Sequence, residues 1–195
     1  MTTRRRTAIL ISGRGTNMAA LIEAARAPSY PAEIVLVISN IPTAKGLETA
    51  RAVGIKSLVI SHKEYSNKST FEAALSHSLN EAKIELICLA GFMRVLSADF
   101  VSRWTGRILN IHPSLLPAYR GLDTHKRVLA DGVKEHGCTV HFVVPELDAG
   151  PVIAQAIVPV LDGDTEESLS ARVLIAENRL FPEALAKVAR TLTPL

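Results

Sequence analysis

Short apolar runs alternate with stretches of helical periodicity along most of the chain, and this order restricts the fold more than any other feature. Seven runs have the length of a strand, namely "TAILIS", "EIVLVIS", "KSLVI", "ELICLAG", "RILNI", "CTVHFVV" and "PVIAQAIVPV". Helical patterns lie between the first five, such as the apolar stripe at Phe71, Leu75 and Leu79. Strand–helix–strand order of this kind predicts an α/β fold, in which helices cover both faces of a mostly parallel sheet.

The ends of several elements can also be predicted. We expect Asn17 to cap a first helix and Gly54 to end a second. A final helix should begin at about Asp164, which has capping spacing to Glu167, and Pro182 should kink it. The last two strand-like runs have no helix between them, so we expect an antiparallel or irregular addition to the sheet there.

The length and composition fit one compact domain. We expect residues 1–195 to form a single domain, with residues 1–6 as a basic and flexible tail. No apolar run approaches the ~18 residues of a membrane span, so no membrane association is expected. Cys88 and Cys138 lie in apolar runs without the paired spacing of a zinc site. Reduced, buried thiols in a cytoplasmic protein are the best interpretation.

The charge distribution indicates the class of ligand. The formal net charge is +3, which the three arginines of the segment 4–6 account for entirely. The remaining cations are mixed with acids, so we expect no nucleic-acid partner. A small-molecule site is the better expectation, and in an open parallel sheet it lies beyond the carboxyl ends of the strands. That rule selects the loops "SGRGTN", "AGFMRVL" and "NIHPSLLP", and the loop that contains Asp148.

The glycine loop "ISGRGTNMAALIEA" has two interpretations. It is either a plain tight turn or an anion site, in which backbone N–H groups at a helix N-terminus face a phosphate. Met18 stands where a dinucleotide fingerprint needs its third glycine, and no acid follows the second strand to hold a ribose. There is also no lysine in the P-loop position. A nicotinamide or ATP cofactor is therefore not expected, whereas a phosphate monoester remains a candidate ligand.

Asn110 and His112 form the most informative pair. Their spacing of two residues in a strand places both side chains on one face. Pro113 and Pro117 follow and restrict the exit from the strand. A histidine at a strand end is more often structural than catalytic, but rigid placement of such a pair suits the stabilisation of a charge that develops in a transition state.

Two carboxylates are candidates for a partner of the imidazole. Glu146 and Asp148 lie in "VVPELDAGPVI", where a solvated turn is the simpler interpretation. An acid beside His112 would favour the cationic form of the imidazole and allow it to act as a general acid.

These motifs together resemble the folate-dependent formyltransferase family. The similarity rests on "NIHPSLLPAYRG" and "HGCTVHFVVPELDAGPVIAQ", and it extends in colinear order through "ISGRGTN", "SN", "GLETARAVGI" and "LAGFMRVLS". The resemblance implies a Rossmann-like fold with a twisted sheet of about seven strands. It also implies transfer of the formyl group of 10-formyltetrahydrofolate to the amine of 5-phosphoribosylglycinamide, a step of purine biosynthesis.

The resemblance further implies roles for individual residues. Asn110 and protonated His112 would stabilise the oxyanion of a tetrahedral intermediate, and Asp148 would assist proton movement. The contacts to the phosphate and the ribonucleotide map to Gly15, Thr16, Asn17 and Glu177. The folate contacts map to Lys68, Met93, Arg94, Val95, Leu96, Asn110, Val144, Pro145, Glu146, Leu147 and Asp148. The co-substrate is 10-formyltetrahydrofolate, and neither a metal nor a nicotinamide is implied.

The chain departs from the family's pattern at peripheral positions. Lys68 stands where arginine is frequent, and lysine cannot offer the fork of a guanidinium. Asn178 stands where a relative can carry histidine, and Asp123 replaces a frequent histidine. None of these belongs to the catalytic trio, so the departures concern ligand contacts rather than the reaction.

Related functions remain as alternatives. The transformylase of initiator methionyl-tRNA shares "HPSLLP" but carries a further C-terminal domain, whereas this chain ends at Leu195. Formyltetrahydrofolate hydrolase shares the trio but usually carries an N-terminal regulatory domain, and here we expect the first strand by about Thr7. A catalytically inactive folate- or nucleotide-binding module is a third alternative. Small-molecule substrates are the expected partners, and the chain could be a monomer or a homodimer.

Overall fold

The structure, a computed structural model, describes residues 4–192. Its strands are β1 Arg5–Ile11, β2 Ala32–Ser39, β3 Lys56–Val59, β4 Leu86–Leu89, β5 Ile108–His112, β6 Glu135–Phe142 and β7 Val152–Pro159. Its helices are α1 Thr16–Ala25, α2 Lys45–Ala52, α3 Lys68–Glu81, α4 Ala98–Arg103, α5 Thr124–Asp131 and α6 Glu166–Thr191, with one 3-10 turn at His62–Glu64. Each strand predicted from an apolar run is present.

All of these strands form one sheet in the order β3-β2-β1-β4-β5-β6-β7. Strands β1 to β5 are parallel, whereas β6 is antiparallel to β5 and β7 is antiparallel to β6. The mostly parallel sheet with an antiparallel addition is confirmed. The strand order reverses beside β1, so the carboxyl ends of β1 and β4 border the crevice in which ligands bind in sheets of this type.

Side chains of β1 alternate between two cores. Ile9 and Ile11 pack on one face with α1, α2 and α6, whereas Ala8 and Leu10 pack on the other face with α3 and α4. The apolar stripe predicted for α3 is buried in the second core. Because helices cover both faces, β4 is apolar and buried along its whole length, and β1 and β2 are buried in their C-terminal halves.

Two helix caps differ from the prediction. The N-cap of α1 is Gly15, whose φ of 74° is left-handed, and Asn17 is the second residue of the helix. The N-cap of α6 is Thr165, one residue after Asp164, and its side chain accepts a hydrogen bond from the Ser168 backbone N–H. Gly54 follows α2 with a φ of 77°, so the predicted C-terminal glycine is confirmed.

Part of the predicted basic tail belongs to the first strand. Strand β1 includes Arg5 and Arg6, and the Arg5 guanidinium lies 2.7 Å from a carboxylate oxygen of Glu85. The Arg6 Nε donates to the Ala82 carbonyl at 2.9 Å. Residues 1–3 lie outside the described part of the chain.

Both thiols are shielded from solvent. Cys88 and Cys138 are buried and not joined in a disulfide, and burial raises the pKa of both, that of Cys138 to about 12. This confirms the interpretation of the two cysteines as buried thiols. Within residues 4–192, no helix has both the length and the apolar character needed to cross a bilayer.

Candidate active site

The glycine loop after β1 is closely packed. A Cβ atom on Gly15 would lie 3.1 Å from the Gly46 Cα atom and 3.0 Å from the Met18 Cε atom, and the left-handed φ of Gly15 also disfavours a side chain. The Gly46 N–H donates to the Gly13 carbonyl at 3.1 Å, which fixes α2 against the loop. The loop therefore requires a glycine for structural reasons, and the first N–H groups of α1 are placed as in anion sites.

A buried polar pair adjoins this loop. Asn17 Nδ2 donates to Glu177 Oε2 at 2.7 Å, and the two residues are separated by 160 positions in the chain. Burial raises the pKa of Glu177, and the hydrogen bond from Asn17 opposes that effect. In the described part of the chain, the Oδ1 atoms of Asn17 and Asn178 are buried without a hydrogen-bond partner. Both oxygens could accept hydrogen bonds from a ligand.

A large cavity of about 650 Å³ opens beside the ends of β4 and β5. Its lining includes all of the predicted folate residues except one, namely Met93, Arg94, Val95, Leu96, Asn110, Val144, Pro145, Glu146, Leu147 and Asp148. Met93 is 70% exposed, which excludes core packing for it, whereas Leu96 is buried. The four residues assigned to the ribonucleotide are not in this lining.

Lys68 is the one predicted folate residue that lies outside this lining. It borders a second cavity of about 370 Å³ together with Glu72 and Arg103. Glu72 is buried in that region, and it accepts hydrogen bonds from the backbone N–H and the hydroxyl of Ser97. Asp123 and Asn178, the other departures from the family's pattern, lie respectively in the lining of the large cavity and beside Glu177.

The predicted catalytic side chains meet in the large cavity. His112 Nδ1 lies 3.4 Å from Asp148 Oδ2, and its Nε2 lies 3.0 Å from the Tyr119 carbonyl oxygen. The contact to the carbonyl requires a proton on Nε2, so Nδ1 is the ring nitrogen that faces Asp148. Asn110 lies on the same face of β5, as the period of two predicts.

Asp148 occupies a restricted position. Its φ of 49° is left-handed, and its Oδ2 accepts a hydrogen bond from the Gly121 backbone N–H at 2.9 Å. A Cβ atom on Gly150 would lie 1.8 Å from the Phe142 carbonyl oxygen, so only glycine allows this loop to approach β6 so closely. The Asp148 side chain is only 7% exposed, so the interpretation as a solvated turn is wrong for this residue.

Glu146 does occupy a solvated position. Its side chain is 73% exposed and pairs with Arg120, with 2.8 Å between Arg120 Nη1 and Glu146 Oε1. Of the two carboxylates that the sequence left open, Asp148 is therefore the one beside the imidazole.

His141 is a site residue that the sequence analysis missed. It is the cross-strand partner of Asn110, and Asn110 Nδ2 lies 3.1 Å from His141 Nε2. His141 Nδ1 donates to the Phe142 carbonyl at 2.9 Å, which leaves Nε2 as the acceptor for the amide. Burial lowers the pKa of His141, although this hydrogen bond and Asp148 oppose the effect. A neutral His141 therefore fixes the orientation of the Asn110 amide by accepting a hydrogen bond from one of the two N–H groups of that amide.

The signal for His141 was present in the sequence. Thr139 and His141 alternate in the apolar run "CTVHFVV", as polar residues do on one face of a strand. Thr139 has a supporting role. Its hydroxyl donates to the Ser114 carbonyl at 2.7 Å and accepts from the Leu116 N–H at 3.0 Å. These bonds tie the loop after β5 to β6, and they add to the rigidity expected from the prolines.

A second pair of histidines, His125 and His136, adjoins the large cavity, whose lining includes His125. His125 Nδ1 lies 3.0 Å from His136 Nε2, and the two rings meet edge to face. Burial lowers the pKa of both histidines. The charge of the neighbouring histidine adds to this effect at His136, whose pKa is lowered to about 4. The pair is therefore neutral near neutral pH. Among the described residues, no group of three or more His, Cys, Asp and Glu side chains is arranged to hold a metal ion.

Comparisons with known proteins extend over nearly the whole chain. A family described as formyl transferase matches residues 5–185. The phosphoribosylglycinamide formyltransferase of Escherichia coli (strain K12) is 45% identical over 89% of this chain and 82% of its own length. The crystal structure of phosphoribosylglycinamide formyltransferase from Brucella melitensis is 53% identical, with a TM-score of 0.93 over 98% of this chain and 99% of that one.

Longer relatives also match. The trifunctional purine biosynthetic protein adenosine-3 of Gallus gallus is 54% identical over 96% of this chain. This chain spans only 19% of that protein, about a fifth of its length.

Proposed function

The chain belongs to the formyl transferase family, and we propose that it transfers the formyl group of 10-formyltetrahydrofolate to the amine of 5-phosphoribosylglycinamide (GAR), giving formyl-GAR and tetrahydrofolate. The observation that carries this proposal is the meeting of Asn110, His112 and Asp148 in one large cavity. The similarity to phosphoribosylglycinamide formyltransferases over nearly the full chain supports the same substrates.

The reaction needs donors for a developing oxyanion. The amine lone pair of GAR attacks the formyl carbon, and the carbonyl electrons move to oxygen. The second N–H of the Asn110 amide is one donor, because His141 uses only the first. The protonated Nδ1 of His112 is the other donor. Donors that are fixed before the reaction stabilise such a charge without a cost of reorganisation.

The geometry of His112 suits this role. Its Nε2 proton is committed to the Tyr119 carbonyl, which fixes the plane of the ring. Its Nδ1 lies 3.4 Å from Asp148, farther than the about 2.7–2.9 Å of a charge-assisted hydrogen bond. An Nδ1 proton is therefore not held in a short hydrogen bond to Asp148 and is open to an oxyanion in the plane of the ring, beside the carboxylate.

The collapse of the intermediate requires proton movement. The attacking nitrogen loses a proton, the bond between the formyl carbon and the folate N10 breaks, and N10 gains a proton. Asp148 and His112 are the titratable pair that we assign to this exchange. Neither a metal nor a nicotinamide takes part in these steps.

The two substrates would occupy neighbouring regions. We assign the phosphate of GAR to the N-terminus of α1 at Gly15, Thr16 and Asn17, and its ribose to Glu177. We assign the folate to the large cavity, between the segment 92–96 and the loop 143–151. Lys68 borders the second cavity, so a contact to folate would require the distal part of the ligand to extend in that direction.

One assay separates this function from its alternatives. The purified chain is incubated with 10-formyltetrahydrofolate, with and without GAR, after EDTA treatment and without nucleotide cofactors. Formation of tetrahydrofolate only in the presence of GAR is the expected result. Formation without GAR would favour a hydrolase, and no formation in either case would favour an inactive binding module.

The setting of the reaction belongs to the same proposal. We assign small-molecule partners, a cytoplasmic location and a monomer or homodimer. The unpaired state of the two buried cysteines supports a reducing compartment.

A further inference from the structure

One wall of the large cavity is held in an unusual way. The segment 92–96 lies between β4 and α4, and it contributes Met93, Val95 and other residues to the lining. Phe92 and Leu96 pack into the core. Within the part of the chain that the structure describes, no backbone hydrogen bond joins residues 92–96 to a strand or a helix. The wall is therefore held by the packing of Phe92 and Leu96 and by side chains that bind its backbone.

The Ser12 hydroxyl supplies such a contact. The Met93 N–H donates to Ser12 Oγ at 2.8 Å, although the Met93 side chain is exposed. The Ser12 hydroxyl in turn donates to Asn40 Oδ1 at 2.5 Å. The opposite end of the wall is held by Glu72, which accepts from the Ser97 N–H at 2.7 Å.

These hydrogen bonds form a series in which the donor and the acceptor of each bond are fixed. Asn40 is buried after the end of β2, and its Nδ2 lies 3.3 Å from His62 Nδ1. An amide that donates to His62 presents its oxygen to Ser12. A hydroxyl has only one proton, and Ser12 donates it to Asn40. The Ser12 oxygen can therefore act only as an acceptor for the Met93 N–H.

Ser12 also belongs to the base of the glycine loop. It is the first residue after β1, and its backbone N–H donates to the Gly91 carbonyl at 3.0 Å. Gly13 and Gly15 of the glycine loop follow directly. One residue therefore connects the loop assigned to the phosphate of GAR with the wall assigned to folate.

We propose that Ser12 is a positioning residue that holds the wall 92–96, and thereby the formyl donor, in register with the amine acceptor. This inference rests on the proposed function for the identity of the ligand. Ser12 acts through the Met93 backbone, so it is not a catalytic residue. Its neighbour Asn40 orients the hydroxyl that makes the contact.

The test compares Ser12→Ala with wild type and with the matched variant Ser57→Ala. Ser57 lies in β3 of the same sheet, and its Oγ is buried without a hydrogen-bond partner, so this control removes a hydroxyl without removing a contact. Backbone amide exchange of Met93 is measured by NMR without any substrate. Loss of one neutral hydrogen bond should raise the exchange rate by about two- to twelvefold in Ser12→Ala, and Ser57→Ala should match wild type.

Substrate affinity provides the second measurement. In Ser12→Ala, the Kd for tetrahydrofolate and the KM for 10-formyltetrahydrofolate should rise by about two- to twelvefold. The KM for GAR should stay within about twofold of wild type, because the backbone of the glycine loop is unchanged. Equal increases for both substrates would indicate a general disturbance and would overturn the proposal.

The two measurements separate this inference from the proposed function. Unchanged exchange of Met93 in Ser12→Ala would overturn the role of Ser12, whatever the ligand is. A wild-type protein that binds no tetrahydrofolate would instead refute the proposed function, and with it the assignment of the wall to folate. Raised exchange at Met93 with unchanged folate affinity would show that the contact does not position the ligand, which also overturns the inference.

Discussion

Replacement of Asp148 by asparagine is the sharpest test of the catalytic assignment. The change removes one negative charge and almost nothing else. Asparagine keeps an oxygen that can accept a hydrogen bond from the Gly121 N–H. It also tolerates the left-handed φ of 49° better than most residues. Any effect on the reaction therefore reports the charge rather than a displaced loop.

The size of the effect follows from the contact with His112. The two side chains are 7–8% exposed and lie 3.4 Å apart, so solvent screens their attraction little. Loss of a positioned acid or base typically costs about 10²–10⁴ in rate. Asparagine can still accept the hydrogen bond from the Gly121 N–H, so we expect the lower part of that range, a loss in kcat of about 100-fold.

The assay compares kcat for formyl transfer in wild type, Asp148→Asn and Glu146→Gln. Glu146→Gln is the matched control, since it removes an exposed charge from the same loop, and it should keep the wild-type kcat. A wild-type kcat in Asp148→Asn, or an equal loss in Glu146→Gln, would refute the reasoning.

Three further changes test other parts of the molecule. Asn110→Ala should lower kcat by about 10²–10³ with little change in either KM, and a loss confined to KM would contradict its role as an oxyanion donor. Gly15→Ala should lower the free energy of unfolding by about 1–2 kcal/mol, because its φ is 74° and its Cβ would lie 3.1 Å from the Gly46 Cα. In urea denaturation Gly13→Ala, which has open space around it, should match wild type. The lowered pKa of His136, about 4, means that protonation favours the unfolded chain. Stability should therefore fall by up to about 3 kcal/mol as the pH drops from about 6.5 to about 4, and the same slope in His136→Gln would count against this group.

Strands and helices could be predicted wherever the pattern of apolar residues along the chain identified them. Strands that are buried on both faces read as continuous apolar runs, and these runs located every strand. Helix α5 was missed because only Thr124 and Val128 are buried in it, too few for a recognisable stripe. The antiparallel direction of β6 relative to β5 was not predicted, because a helix between two strands usually marks a parallel crossover, whereas α5 here joins an antiparallel pair.

Local sequence patterns alone, without the family resemblance, could group site residues only where they are neighbours in one strand. Asn110 and His112 share β5, so a local rule placed them together. The contact between Asn17 and Glu177 joins positions 160 residues apart, and no local pattern contains it. The residue type of Asn17 predicts a helix cap, yet the N-cap of α1 is Gly15, whose backbone is left-handed.

The rule of carboxyl ends selected the loop that contains Asp148, and the structure places Asp148 beside His112, but the path of that loop differs from what the rule assumes. Strand β6 runs antiparallel, and its last residue, Phe142, lies opposite Leu109 near the start of β5. The loop that follows therefore leaves the sheet at the amino end of β5, away from His112. It must fold back over the strand for Asp148 to reach the imidazole, and this return accounts for the left-handed φ of Asp148 and for the close passage of Gly150 past the Phe142 carbonyl. The carboxylate beside His112 is thus placed by the return of a loop across the sheet, and that return requires the close approach of Gly150 to the Phe142 carbonyl.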